Sequence, residues 1–143
     1  MSISVIEGEE FTDERGKLGF FNKLNMSEIV RFYEITPSNE QIIRGWQAHK
    51  KENKWFYCIA GSFVIYVVKI DDFNNPSKNC VKQKILLISN EPKILHISGG
   101  YASGFRAKEK NSRMQVFSNF DLEKSKQDDF RYSIDKWQIN WDE

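Results

Sequence analysis

The residues of this chain best suited to chemistry lie in one short stretch. Four polar side chains, Arg44, Gln47, His49 and Lys54, fall within eleven residues. His49 can take up or release a proton near neutral pH, because an unperturbed histidine titrates in that range. Arg44 and Lys54 can stabilise anionic oxygen atoms, whereas Gln47 can donate or accept a hydrogen bond but cannot act as a base. The stretch therefore predicts a site for proton transfer beside a developing negative charge.

A β-strand followed by a hairpin is expected to position these side chains. The β-prone sequence WFYCIA precedes a turn at Gly61-Ser62 and a return strand, FVIYVVKI, at residues 63–70. Side chains alternate between the two faces of a strand, so Gln47 and His49 share one face and Ala48 takes the other. We expect the shared face to line the site.

Short strands dominate the rest of the chain. Alternating or β-prone patterns predict further strands at residues 2–7, 29–35, 83–89, 93–97, 104–107 and 113–117, with a turn at 14–16. A short, charged helix is expected at residues 121–129. Strands punctuated about every 8–12 residues favour an antiparallel sandwich or barrel, and a barrel has a mouth where inward polar side chains can meet a ligand.

The composition is that of one domain spanning residues 1–143. The chain has 21 basic and 20 acidic residues, a net charge of +1, so we expect no nucleic-acid partner. The longest apolar run, residues 55–68, is shorter than the about 20 residues that a membrane helix needs, and no signal peptide is apparent. We therefore expect a cytoplasmic protein without a membrane partner. Cys58 and Cys80 are predicted to be ordinary buried thiols.

The spacing of Gln47, His49, Lys54 and Gly61 resembles the first motif of the cupin family, which normally reads His-x-His, Glu and Gly. Ser103 falls where the second cupin motif usually has a histidine. The resemblance implies that a metal would be held at the positions of Gln47, His49, Lys54 and Ser103. His49 is the one good ligand among them, and Lys54 brings a positive charge that repels a metal cation. We expect neither a metal nor another cofactor, with a metal-dependent cupin as the weaker alternative.

Three motifs are similar to those of cupins that act on nucleotide-linked keto sugars. Residues 11–18, FTDERGKL, resemble their N-terminal FxDxRGxL/F signature, and residues 44–50, RGWQAHK, resemble the RG-x-HAHK signature of dTDP-4-keto-6-deoxyglucose 3,4-ketoisomerases. Residues 99–105, GGYASGF, are similar to the PxGxAHGF region of dTDP-4-dehydrorhamnose 3,5-epimerases. The resemblance implies an all-β cupin, or jelly-roll β-barrel, of two antiparallel sheets with a short C-terminal helical segment. It also implies a homodimer that exchanges N-terminal strands, here residues 2–7.

The two families imply different catalytic residues. In the epimerases a histidine at the position of Gln47 is the base, and a tyrosine near Val116 or Phe117 is the acid; this chain has neither group. In the ketoisomerases two histidines and an upstream tyrosine line the site, which here leaves His49 and Tyr33.

The resemblance and the chemistry of the side chains together predict three catalytic residues and a set of binding residues. His49 would be the base or proton shuttle, Tyr33 the proton donor, and Lys54 the group that stabilises an enediolate. Predicted substrate-binding residues are Arg44, Gln47, Tyr101, Ser103, Arg106 and Arg113.

Two functions follow from these residues. In the first, a metal-free enzyme isomerises or epimerises a dTDP-linked, or related, 4-keto-6-deoxyhexose for surface-polysaccharide synthesis. In the second, a cupin without proton transfer binds the nucleotide sugar as a regulatory or accessory module. Gln47 and Phe117 favour the second function, whereas Arg44, His49 and Lys54 favour the first. The aromatic residues of segment 130–143 are expected to pack against the barrel or a second subunit.

Overall fold

Residues 2–142 are described by a computed structural model. This part of the chain contains twelve strands and one helix: β1 Ile3–Glu7, β2 Glu9–Asp13, β3 Gly16–Phe20, β4 Arg31–Ile35, β5 Ile43–His49, β6 Lys54–Ala60, β7 Ser62–Lys69, β8 Lys82–Ile88, β9 Lys93–Ile97, β10 Tyr101–Ala107, β11 Arg113–Ser118, α1 Leu122–Lys126 and β12 Phe130–Arg131. Within residues 2–142, no helix has the length and apolar character required to cross a membrane.

Two five-stranded antiparallel sheets form the body of the protein. The first has the order β1-β9-β6-β11-β4 and the second the order β12-β5-β10-β7-β8, while β2 and β3 form a separate hairpin. The predicted all-β jelly-roll fold of two antiparallel sheets, with a short C-terminal helix, is confirmed. β1 pairs with β9 of the same chain, and the exchange of this strand between subunits stays a prediction.

The main core lies between the two sheets. Its largest fully buried members come from β7, β8, β9 and β11 and are Phe63, Ile65, Leu87, Leu95 and Met114. These side chains alternate with residues on the outer faces, as the period of a strand requires. Cys58 belongs to this core, and burial raises the pKa of its thiol to about 11. Cys80 is also buried and unpaired, so the prediction of two buried thiols is confirmed.

A second core covers the outer face of the second sheet. Trp46 and Ala48 of β5 contribute to it, and the C-terminal segment supplies Trp137, whose ring centroid lies 5.2 Å from that of Trp46. Trp141 packs against Trp46 from the same segment. Of the two expected positions for the aromatic segment, packing against the barrel is the one observed.

The structure corrects three element boundaries. β10 begins at Tyr101 rather than at Gly104, and the helix is limited to Leu122–Lys126 with Asp121 as its N-cap. The segment after residue 129, expected to lie beyond the last strand, begins with β12, which pairs with β5. A strand of two residues is too short to show a period of two in the sequence.

Candidate active site

A cavity of about 550 Å³ opens between the two sheets beside the C-terminal helix. Strands β4, β5, β6 and β10 supply most of its wall, and residues 122–131 complete it. Its apolar lining includes Ile35, Phe56 and Phe105. Its polar lining consists of Arg31, Tyr33, Arg44, Gln47, Lys54, Ser103, Ser125, Lys126, Asp129 and Arg131. Five of the residues predicted from sequence therefore share one cavity: Tyr33, Arg44, Gln47, Lys54 and Ser103.

Register between β5 and β10 aligns the predicted residues of the two strands. Gln47 lies opposite Ser103, and His49 lies opposite Tyr101. Directly opposed residues of antiparallel strands point to the same face, so these four side chains share the inner face of the second sheet. Ala48, between Gln47 and His49, is part of the outer core, as predicted.

A chain of hydrogen bonds fixes the orientation of Gln47. Lys54 Nζ donates to Gln47 Oε1 over 3.3 Å and to the hydroxyl oxygen of Tyr33 over 2.9 Å. Gln47 Nε2 donates to Asp129 Oδ1 over 3.1 Å. Since Tyr33 accepts from Lys54, its own hydroxyl proton remains available to a ligand, and the ammonium of Lys54 retains a third donor. The cluster is thus able to donate to oxygen atoms of a bound molecule.

Asp129 is a cavity residue that the sequence did not identify. Arg131 Nε donates to its carboxylate over 2.8 Å. Burial alone would raise the pKa of Asp129, but the hydrogen bonds from Arg131 and Gln47 outweigh it and lower the pKa below the usual value. The carboxylate is therefore ionised at neutral pH. The sequence signal for Asp129 was the acidic pair Asp128-Asp129 at the end of the predicted helix. Such a pair is equally typical of a solvated surface.

His49 lies in a small recess of about 10 Å³ that adjoins the cavity. Gln47, Lys54, Phe56 and Ser103 line both spaces. The Nδ1 atom of His49 is 2.6 Å from the backbone carbonyl oxygen of Asp128. A carbonyl can only accept, so Nδ1 carries the proton and Nε2 keeps the lone pair of the neutral ring.

The protonation state of His49 follows from its surroundings. Only 7% of the residue is exposed. Burial, and then the positive charge of Lys54, lower its pKa below the ordinary histidine value. His49 is therefore neutral at pH 7, which is the form required of a proton acceptor. Tyr101 lines the same recess.

A buried carboxylate, Glu52, lies behind His49. It accepts hydrogen bonds from Ser118 Oγ over 2.5 Å, Ser125 Oγ over 2.7 Å and Arg31 Nη2 over 3.3 Å. One of its oxygen atoms is 3.4 Å from His49 Nδ1. Sequence reasoning missed Glu52 because it follows two lysines in a charged turn, a pattern typical of a solvated loop.

Asp128 holds this turn against the helix. Its carboxylate accepts from the backbone N–H groups of Lys50, Lys51 and Glu52 over 2.7, 2.9 and 2.8 Å. The same residue provides the carbonyl that fixes His49. Asp128, which follows α1, therefore sets both the path of the turn and the orientation of the imidazole.

Two predicted binding residues lie outside the cavity. Arg106 points away from the main core, where it donates to the backbone oxygen of Glu40 over 2.7 Å and pairs with Asp142 over 2.6 Å. Arg113 alternates with the buried Met114 of β11 and pairs with Glu34 over 2.5 Å on the outside. The structure thus does not place these two arginines where they were expected to contact substrate. Arg31 and Arg131 line the cavity in their place.

The residues near the expected acid of the epimerases do not line the cavity either. Val116 is buried in the main core, and Phe117 lies on the outer face of the first sheet against Phe32. The hydroxyl of Tyr33, opposite Val116 in the β4–β11 register, reaches the cavity instead.

Solved structures of sugar-nucleotide enzymes share this fold. The sugar 3,4-ketoisomerase QdtA from Thermoanaerobacterium thermosaccharolyticum, in complex with TDP, is similar with a TM-score of 0.71 and 21% identity over 94% of this chain and 90% of that chain. A 3,4-ketoisomerase from Helicobacter canadensis has a TM-score of 0.71 and 20% identity over 95% of both chains. The 3,5-epimerase RmlC from Legionella pneumophila, in complex with dTDP-4-keto-L-rhamnose, has a TM-score of 0.76 and 18% identity, over 97% of this chain and 78% of that chain. At these identities the similarity establishes the fold.

Sequence comparison identifies the family. No curated protein matches the chain. A family model described as FdtA: WxcM-like, C-terminal, matches residues 1–138. The fold is similar to that of both enzyme groups whose motifs the sequence resembles, and the family match spans nearly the whole chain. The chain belongs to the WxcM-like, C-terminal (FdtA) family.

Proposed function

We propose that this protein is a metal-free isomerase of a nucleotide-linked 4-keto-6-deoxyhexose, with dTDP as the nucleotide and 3,4-ketoisomerisation as the reaction. One observation carries the proposal. A neutral histidine, an ammonium group and a phenol, from His49, Lys54 and Tyr33, line a cavity and its adjoining recess. These are the groups that proton transfer next to a ketone requires.

The reaction needs no partner reagent. The base takes the proton from C3, the C–H electron pair forms the C3–C4 double bond, and negative charge develops on the C4 oxygen. The Lys54 ammonium faces that charge, and Tyr33 donates to it. The C3 hydroxyl then gives its proton to the Tyr33 phenolate, and the base returns its proton to C4, which gives the 3-ketone. Atoms and electrons balance within the sugar.

The cavity suits a nucleotide sugar in size and charge. A volume of about 550 Å³ is within the usual range for small-molecule sites. Three arginines, Arg31, Arg44 and Arg131, line it. Guanidinium groups present paired donors that match phosphate oxygens, which supports their role in binding the diphosphate.

The chemistry of the donor set supports a reaction without a metal. Lys54 places an ammonium group between Gln47 and Tyr33. Neither an ammonium nor a neutral amide competes well as a ligand for a transition metal, which prefers imidazole, thiolate or carboxylate. Lys54 supplies the positive charge that a bound metal would otherwise bring to the enediolate.

We further propose that the protein works as a cytoplasmic homodimer in surface-polysaccharide synthesis. Phe11 and Leu18 support the dimer, because they pair across the β2–β3 hairpin and are 55% and 60% exposed. Exposed apolar pairs on an isolated hairpin are typical of contact surfaces. The pathway is supported by similar solved structures whose names describe epimerases of dTDP-linked deoxysugars.

A binding protein without catalysis is the second candidate function. Gln47 cannot accept a proton, and both ends of its amide are engaged by Lys54 and Asp129. His49, the remaining base, is 7% exposed and lies in a recess rather than in the main cavity. These contacts favour a site that binds a sugar nucleotide without turnover.

One experiment separates the two functions. Purified protein is incubated with dTDP-4-keto-6-deoxyglucose in D2O, and the sugar is followed by NMR while binding is measured by calorimetry. Deuterium at C3 or C4 together with a 3-keto product supports the isomerase. Binding without exchange at C3, C4 or C5 supports the binding protein. Exchange at C5 identifies an epimerase, and absence of binding contradicts both functions for this ligand.

A further inference from the structure

The fully buried carboxylate of Glu52 has no role in the chemistry described so far. It is 1% exposed, and its partners come from β4, β11 and α1. Burying a carboxylate is costly unless several donors compensate it, and here Ser118, Ser125 and Arg31 do so. A group maintained at such cost, next to the candidate base, calls for an explanation.

One positive group and three acidic groups lie near the imidazole of His49. Lys54 of β6 is the positive group that acts on the imidazole, while Glu52, Asp128 and Asp129 are the acidic groups near it. Asp128 contributes its carbonyl at 2.6 Å, and its carboxylate is occupied by the backbone of the turn. Asp129 is engaged by Arg131 and Gln47. Glu52 is the carboxylate that lies against Nδ1, at 3.4 Å.

We propose that Glu52 is a positioning residue for His49. The Asp128 carbonyl fixes the proton on Nδ1. The buried carboxylate of Glu52, 3.4 Å from that atom, supplies the opposite charge for the imidazolium that forms when Nε2 accepts a proton from the sugar. This inference rests on the proposed isomerase function, in which Gln47 cannot be the base.

The proton path is balanced. Nε2 of His49 takes the proton from the carbon beside the ketone, and the negative charge passes to the sugar oxygen that Lys54 faces. The imidazolium then lies between Glu52 on its Nδ1 side and the enediolate on its Nε2 side. Returning the proton to the neighbouring carbon restores the neutral ring. Glu52 keeps its charge throughout, because its role is electrostatic and orientational.

A purely structural role for Glu52 makes different predictions. The hydrogen bonds to Ser118 and Ser125 also attach α1 to the barrel. If anchoring were the only role, loss of charge with retention of shape would affect stability and leave His49 unchanged. Glu52→Gln makes this change, since its amide oxygen can still accept from Ser118 while its amide nitrogen donates to the hydroxyl oxygen of Ser125.

The test follows the titration of His49 by NMR and the rate of sugar isomerisation. The chain has two histidines, so His96 is an internal reference. In Glu52→Gln we expect the His49 titration to move to lower pH, that of His96 to stay, and kcat at pH 7 to fall at least about tenfold with KM changed less than about twofold. Ser118→Ala removes a hydrogen bond but leaves the charge, so it should lower thermal stability without moving the His49 titration to lower pH. Glu109→Gln removes a carboxylate that accepts from Ser62 and does not line the cavity, and should change neither histidine.

An unchanged His49 titration in folded Glu52→Gln would overturn the inference. If that variant does not fold, Glu52→Asp keeps the charge, and the tautomer of the wild-type ring can be read from 15N shifts. A ring protonated on Nε2 would equally overturn it. The NMR measurements need no substrate, so a protein with the expected titration shift but no turnover retains the Glu52–His49 coupling and contradicts the proposed function instead.

Discussion

Lys54 Nζ donates to the hydroxyl of Tyr33 across a strand that separates the two residues. Lys54 is on β6 and Tyr33 on β4, and β11 lies between them in the first sheet. Lys54 pairs in register with Ser118 of β11, and Tyr33 pairs with Val116, so the bond runs diagonally across that strand. A phenol held in this way is oriented before a ligand arrives.

Replacing Tyr33 with phenylalanine tests this orientation. Tyr33→Phe should lower kcat about 10- to 100-fold with little change in nucleotide-sugar affinity, because the lost hydroxyl is a proton donor in the reaction. Steady-state kinetics and calorimetry measure the two effects. Tyr57→Phe, on β6 of the same sheet but outside the cavity lining, is the matched control and should retain full activity.

The dependence of rate on pH should report His49. A neutral imidazole is the active form, so kcat/KM should fall as the pH drops through the pKa of His49, below the unperturbed value of 6.5. Burial and the charge of Lys54 set this direction. His49→Asn should lower exchange at least about 100-fold and spare binding, whereas His96→Asn should keep the acid limb in place. An acid limb retained in His49→Asn would assign it to another group.

Stability should also decrease as the pH falls below 6.5. Burial lowers the pKa of both His49 and His96 in the folded protein. The unfolded chain therefore binds protons first, so the stability due to these residues is complete above 6.5 and is lost as the pH drops toward their folded pKa values. Thermal melts from about pH 7 to about pH 5 should show Tm falling by a few degrees. A variant with both histidines replaced by asparagine should show a flatter profile across that window.

Arginine variants test where the diphosphate binds. Arg44→Gln should weaken binding of dTDP about tenfold or more, since it removes a cation from the cavity. Arg113→Gln should leave the affinity unchanged, because Arg113 lies outside the cavity and pairs with Glu34. Calorimetric titrations with dTDP measure both. Equal loss in the two variants would indicate a general effect of net charge rather than a local contact.

The fold was largely predictable because its determinants are local. Alternation in β5 placed Gln47 and His49 on one face, and Gly61, with a φ of 71°, occupies the predicted turn. A positive φ favours glycine, and a Cβ there would also collide with Ser112. Strand alternation and turn glycines can be recognised from a few neighbouring residues in the sequence.

Much of the site could not be predicted, because its contacts join distant parts of the chain. Glu52 and Ser125 are 73 residues apart, and Gln47 and Asp129 are 82 apart. The sequence also did not predict that the side chain of Arg106 points outward. The neighbouring residues in β10 are mostly small, so the sequence shows little contrast between its two faces.

The position of Asp128, Asp129 and Arg131 has a consequence for how the protein acquires its activity. These residues follow every strand of the two sheets except β12 in the order of synthesis. A nascent chain that has emerged from the ribosome only as far as β11 can pair most of its strands, but its imidazole has no carbonyl to orient it and its cavity lacks a wall. Ligand binding should therefore appear late and abruptly as the chain lengthens, after the barrel has begun to form.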